Sequence, residues 1–395
     1  MLDAFAYGWC ASSTRGRSNI LSMLLALVLI VSTCRPAETQ TFDSERHKFR
    51  VTTVADGLEH PWGLAFLPNG DMLVTERPGR LRVIRNGRLD PEPIAGVPEV
   101  WARGQGGLLD VAVHPQFSSN RFVYLSYARP SGAGAGTAVV RGRLEGQRLM
   151  DVREIFVSNT VTTTGLHFGS RLAFDREGFL YVTAGDRGHS PGAQENHNAQ
   201  NLGQHAGSVL RLQDDGGVPK DNPFVGRAGA LPEIFSYGHR NPQALAFHPE
   251  TGQLWSTEHG ARGGDELNLI RAGRNYGWPI ITHGVDYSGQ PIGIGREREG
   301  LEQPIAFWVP SIATSGMAFY TGNRFPQWKG DLFVGGLAGE QVERITLRGT
   351  EVVNRETLLK DYGRRIRDVR NGPDGYIYLL IDESSGPVVR LEPVQ

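Results

Sequence analysis

The chain has 395 residues, 39% of them hydrophobic, with 41 basic and 42 acidic side chains and a formal net charge of −1. That balance excludes a bulk electrostatic footprint for nucleic acid or an anionic membrane. The two cysteines, Cys10 and Cys34, both lie near the N-terminus, so the rest of the chain can carry no internal disulfide, thiol nucleophile or cysteine zinc site.

The first element is a leader. Arg15 and Arg17 precede an apolar run over residues 23–31, the pattern of a secretory signal peptide. The run is short for a transmembrane span. It ends in Val31-Ser32-Thr33-Cys34, similar to a bacterial lipoprotein processing site, so Cys34 is a candidate lipid-bearing residue. Plain cleavage between Ser32 and Ala37 is the alternative. The expected divisions are a leader over 1–36, a polar tether over 37–47 and one catalytic domain over 48–395.

That domain repeats one clause: apolar, Ala, aromatic, a turn ending in Gly, then a strand rich in Val, Leu and Tyr. The copies are Leu64-Ala65-Phe66, Val111-Ala112-Val113, Leu172-Ala173-Phe174, Leu245-Ala246-Phe247, Met317-Ala318-Phe319 and, more weakly, Val369-Arg370-Asn371. Alternating apolar residues broken by Asn-Gly, Glu-Gly or Asp-Gly signal hairpins. Hairpins at a long period predict an all-β fold, a six-bladed β-propeller. The period runs from 47 residues (Phe66 to Val113) to 73 (Phe174 to Phe247), so long loops are inserted between strands.

Five inserts break the strand pattern. In Gly104-Gln105-Gly106-Gly107, an amide between glycines suits either a turn or a planar polar ligand. In Gly165-Leu166-His167-Phe168-Gly169, His167 is a candidate proton acceptor, and Asp186, one strand away, is a candidate to orient it. Gly238-His239-Arg240-Asn241-Pro242-Gln243 is poor strand material, and Arg240 suits a carboxylate or a quinone oxygen. The stretch from Glu258 through Gly260, Ala261, Asp265 and Glu266 to Tyr276 and Trp278 reads either as an oxygen-rich calcium ligand set or as a solvated acidic loop. Arg365 and Arg367 alternate, so on a strand both would face one way, toward a multi-carboxylate ligand or simply toward solvent. A propeller gathers such edges around one mouth of its channel.

Taken together, these segments resemble the soluble aldose sugar dehydrogenases, six-bladed propellers that use pyrroloquinoline quinone and calcium. The resemblance spans roughly residues 48–393. It implies that His167 removes the proton from the anomeric hydroxyl while hydride passes to the quinone, with Asp186 orienting the base and Arg240 stabilising charge on the cofactor. It places Gln105, Arg240, Asn241, Tyr287, Ser311, Arg365 and Arg367 at the cofactor. It implies one calcium on the carbonyls of Gly260 and Ala261 and a second near Glu266 and Tyr276. Two positions depart from the glucose dehydrogenase branch: Leu166 replaces an Asp before the base, and Ala338 replaces a cofactor-binding Lys. The implied partners are an aldose sugar and an external quinone or cytochrome acceptor, for an exported, periplasmic or envelope protein, monomeric or dimeric. Its membrane contact would be only through a lipid on Cys34. A calcium-dependent lactonase and a non-catalytic envelope-binding propeller are the competing readings.

Overall fold

Each copy of the repeated clause is the innermost hairpin of a blade. Leu64 pairs with Val74, Leu172 with Val182, Leu245 with Ser256 and Val369 with Leu379. In the computed structural model, which describes residues 40–394, six antiparallel sheets follow in chain order, and the innermost strand of each contacts that of the next around a closed ring. These inner strands are Pro61–Phe66, Leu108–Val113, Leu172–Phe174, Pro242–Phe247, Thr314–Phe319 and Ile366–Asn371. We number the blades one to six in that order. The only α-helix among the described residues is the single turn Phe117–Asn120.

The ring is closed by the N-terminal strand. Lys48–Leu58 pairs with the last strand, Gly386–Pro393, placing Val51 opposite Leu391. The sheet reaches further toward the N-terminus than expected, because Thr41–Asp43 folds back on Lys48–Leu58 inside the segment read as tether. Glu45 in that segment pairs with the buried Arg344 at 2.8 Å. The leader, with Cys10 and Cys34, lies outside the described residues. The blades pack through aliphatic and aromatic clusters; one joins Phe49 of the closing strand to Phe325, Trp328 and Phe333 of blade five.

Five of the six inner strands carry a register shift near their first residue: Pro61/Leu64, Leu108/Val111, Pro242/Ala244, Thr314/Met317 and Ile366/Asp368. A bulge re-aims side chains and interrupts pairing. Trp62, Leu109, Gln243 and Arg367 sit at these shifts, and all four line one cavity at the channel mouth. Arg367 therefore reaches it from a bulge, not from simple alternation with Arg365.

Next to the inner strands lies a four-charge cluster in which Asp110, Arg171 and Asp368 are buried and Arg370 is half-buried. Arg171 and Arg370 both donate to Oδ1 of Asp110, at 3.1 and 3.0 Å, and Arg370 donates to Asp368 at 2.8 Å. Two cations and two anions balance there, as buried charge requires. A Cβ at Gly63 would come within 2.6 Å of the Asp110 carboxylate, so only glycine fits beside it.

Candidate active site

The inserts before the inner strands converge at this mouth. A cavity of about 370 Å³ is lined by Trp62, Gln105, Gln243, His259, Arg365, Arg367 and Asp382, among others. A second, of about 360 Å³, is lined by His167, Asp186, Arg240, Ala261 and Trp278, with Leu166 and Asp286 at its edge. Gln105 and Tyr287 line both, so the two are lobes of one site.

His167 is 8% exposed, and its Nδ1 lies 2.6 Å from Oδ1 of Asp186. Burial alone would raise the Asp186 carboxyl; His167, Arg240 and His197 outweigh it and hold the group below its ordinary value. An ionised acceptor assigns the proton to Nδ1 of His167 and leaves Nε2 as a lone-pair acceptor. Gln105 fixes the base from the other side, its Oε1 accepting the His167 amide at 2.8 Å.

Arg240 is held by its own main chain, which donates to Glu258 at 2.6 Å. Its Nη1 donates to the Gly260 carbonyl, and its guanidinium lies 5.2 Å from the Trp278 ring centroid. Asn241 is buried and accepts the Gly169 amide at 3.1 Å, bracing the loop of the base. Arg367 donates to Asp382 at 3.0 Å, whereas the Arg365 side chain is 46% exposed. Burial alone would raise Asp382, but Arg367, His60 and Arg365 bring it down to about 2.

The remaining expected residues are dispersed. Ser311 donates to both oxygens of Asp265 at 2.8 Å and is not among the cavity-lining residues. Ala338 is exposed, one residue past Leu337, which does line the cavity. Glu266 stands opposite Glu258 on the neighbouring strand, and Asn268 donates to both, at 2.9 and 3.1 Å. Burial, with Glu258 beside it, pushes Glu266 up to about 8. Tyr276 stacks on His239 at 4.4 Å, and His239 bonds Glu258. Among the described residues, no three His, Cys, Asp or Glu side chains converge as a metal cluster. The Gly260 and Ala261 carbonyls are donors of a different kind.

Trp62 and Asp382 lie outside the inserts read from the sequence, whereas Gln243, His259 and Trp278 lie within them but carried no role of their own. Burial, with Arg240, Arg367 and His167 nearby, pushes His259 down to about 3, so it faces the cavity as a neutral ring whose Nε2 has no partner. A signal for Asp382 does exist in the repeat. Glu76, Asp186, Glu258 and Asp382 each end, or just follow, the second strand of their blade. Each binds the segment before or at the start of an inner strand: Glu76 the amide of Glu59, Asp186 His167, Glu258 Arg240, and Asp382 Arg367.

Comparison with known proteins agrees with the propeller fold. The family model described as Glucose / Sorbosone dehydrogenase matches residues 58–390. An aldose sugar dehydrogenase of Escherichia coli is 46% identical over 87% of this chain and 92% of its own. The quinoprotein glucose dehydrogenase B of Acinetobacter calcoaceticus is 31% identical over 93% of this chain and 91% of its own. The solved apo-form of the soluble E. coli aldose sugar dehydrogenase superposes with a TM-score of 0.84 at 45% identity, covering 88% of this chain and all of that one. The pyrroloquinoline-quinone-bound form of a Streptomyces coelicolor aldose sugar dehydrogenase gives 0.72 at 29% identity, covering 88% of this chain and 99% of that one. With its six blades and its histidine–carboxylate pair at the channel mouth, the chain belongs to the glucose/sorbosone dehydrogenase family.

Proposed function

We propose that this protein oxidises aldose sugars at the anomeric carbon to lactones, with pyrroloquinoline quinone as the bound electron acceptor and calcium as its partner. The observation that carries the reading is a base beside a cationic cavity: His167, fixed by Asp186, opens on the lobe that adjoins Arg240, Arg365 and Arg367. Three guanidiniums suit a planar cofactor with several carboxylates. Buried donors without partners, Nε of Arg240 and of Arg367, await an acceptor. When bound, the quinone would accept the hydride that leaves the anomeric carbon, and calcium would polarise it as a Lewis acid.

The chain's own residues do the rest. Nε2 of His167 takes the hydroxyl proton, and the Asp186 carboxylate stabilises the imidazolium that forms. Arg240 places positive charge where an oxyanion would develop. Gln105 keeps the His167 main chain in register with both lobes. The Gly260 and Ala261 carbonyls would hold the calcium, and Nη1 of Arg240 donates to the first of them, which sets the guanidinium beside that position. Glu266 and Tyr276 would hold the second calcium, whose charge would favour the ionised form of the Glu266 carboxyl. The proposed partner that would reoxidise the cofactor is an external quinone or cytochrome.

The test is a dye-linked assay of apoprotein with an aldose panel, with and without pyrroloquinoline quinone and calcium. Activity is expected only with both, and His167→Gln should lower turnover by roughly 10²–10⁴-fold. Activity on lactones without the quinone would overturn the reading. Export with a lipid on Cys34 is proposed on the leader pattern alone. Palmitate labelling that survives Cys34→Ala would refute it.

A further inference from the structure

Arg187 is 1% exposed, yet no carboxylate pairs with its side chain among the described residues. Burying an unpaired charge is costly, so its contacts need an explanation. Nη1 donates to the Leu166 carbonyl and Nη2 to the Ala135 carbonyl at 3.3 Å. The guanidinium carbon lies 3.5 Å from the Phe168 ring centroid. The residues it grips, Leu166 and Phe168, are those on either side of His167. The grip is mutual, because the Arg187 carbonyl accepts Thr164 Oγ1 at 2.9 Å.

The gripped loop needs holding. His167 has a φ of +50° and Ser170 of +77°, with Gly165 at +69° and Gly169 at +63°. Left-handed backbone is unfavourable for His and Ser and persists only where surroundings enforce it. Asp186 orients the imidazole but accepts no hydrogen bond from the main chain of residues 165–170, whose His167 and Gly169 amides go to Gln105 and Asn241. Burial draws the Arg187 guanidinium down to about 10, which still leaves it charged at neutral pH.

We infer that Arg187 is a positioning residue for the base: its two-pronged grip on Leu166 and Ala135, over the Phe168 ring, holds His167 in its left-handed conformation with Nε2 facing the substrate lobe. The inference rests on the proposed role of His167. Arg187→Met should lower kcat about 10–100-fold with KM within about threefold, since a displacement near 1 Å is enough for such a loss. Arg187→Lys can reach one carbonyl but cannot span both or stack as a plane, so it should fall between the two and also supplies a second variant if the Met form does not fold.

An independent readout uses apoprotein alone. The proton shared by His167 Nδ1 and Asp186 should give a downfield imidazole NMR signal, assigned by its loss in His167→Gln. In folded Arg187→Met or Arg187→Lys, that signal should move upfield or broaden. An unchanged signal, or wild-type kcat in either variant, overturns the inference. Because the NMR arm needs neither quinone nor sugar, failure of the sugar-oxidation reading would show separately, as wild-type protein inactive with every aldose.

Discussion

Trp278 donates its indole N–H to Oδ2 of Asp186 at 2.7 Å, on the oxygen opposite the one that binds His167. The same ring lies under Arg240. One side chain thus braces the carboxylate behind the base and the guanidinium beside it. Trp278→Phe keeps a ring in place and removes the donor. The expected result is a fall in kcat of about tenfold with little change in KM. Steady-state kinetics on the reconstituted enzyme checks this; unchanged kcat would show that Asp186 needs no second anchor.

His259 should remain neutral throughout the working range. Its value near 3 follows from burial among Arg240, Arg367 and His167. An ordinary histidine titrates near pH 6.5. The imidazole carbon-bound proton of His259, assigned by mutation, should therefore not shift between about pH 5 and 8 in NMR of the apoprotein. A midpoint in that window would contradict the charge arrangement of the cavity.

Asp382 links the arginine-lined cavity to acid stability. Its folded pKa, about 2, lies below the ordinary 3.8. The stabilisation is therefore complete above about pH 4 and is lost as pH falls through about 2, and it amounts to about 2 kcal/mol. Asp382→Asn lacks that pH-dependent part. Urea unfolding of the two proteins should show a stability gap at pH 7 that narrows toward pH 2.5; a gap independent of pH would contradict the Arg367 pairing.

Trp328 is fully buried, stacked on Phe325 at 4.3 Å and edge-on to Phe49 at 5.5 Å. It ties blade five to the strand that closes the ring. Trp328→Ala should cost about 3–5 kcal/mol, as large-to-small core changes do. Thermal unfolding measures it, and a loss below about 1 kcal/mol would mean that closure does not depend on this cluster.

Much of this was legible in the residues, for local reasons. The Leu-Ala-Phe clause marks inner hairpins because a strand facing a crowded channel alternates small and large side chains, and the inserts before it stand out because strands do not need His167 or Arg240. The carboxylates at the ends of second strands were harder to read. Asp186 was seen because glycines surround it, whereas Asp382 follows an ordinary apolar strand, Ile377–Ile381, and gains meaning only from Arg367 across the hairpin. Trp62 and Gln243 enter the cavity through bulges, and a one-residue bulge defeats the two-residue parity by which strand faces are read. Ser311 turns to Asp265, a pairing that depends on two blades meeting.

The central claim is that His167 and the arginine-lined cavity form one redox site. Its most direct test is an absorbance titration of the apoprotein with pyrroloquinoline quinone plus calcium, followed by an aldose. Saturable binding is predicted, then conversion of the bound quinone to its reduced spectrum on sugar addition in the wild type but not in His167→Gln. Saturable binding with no spectral change for any aldose, or equal reduction in the His167→Gln protein, would contradict it.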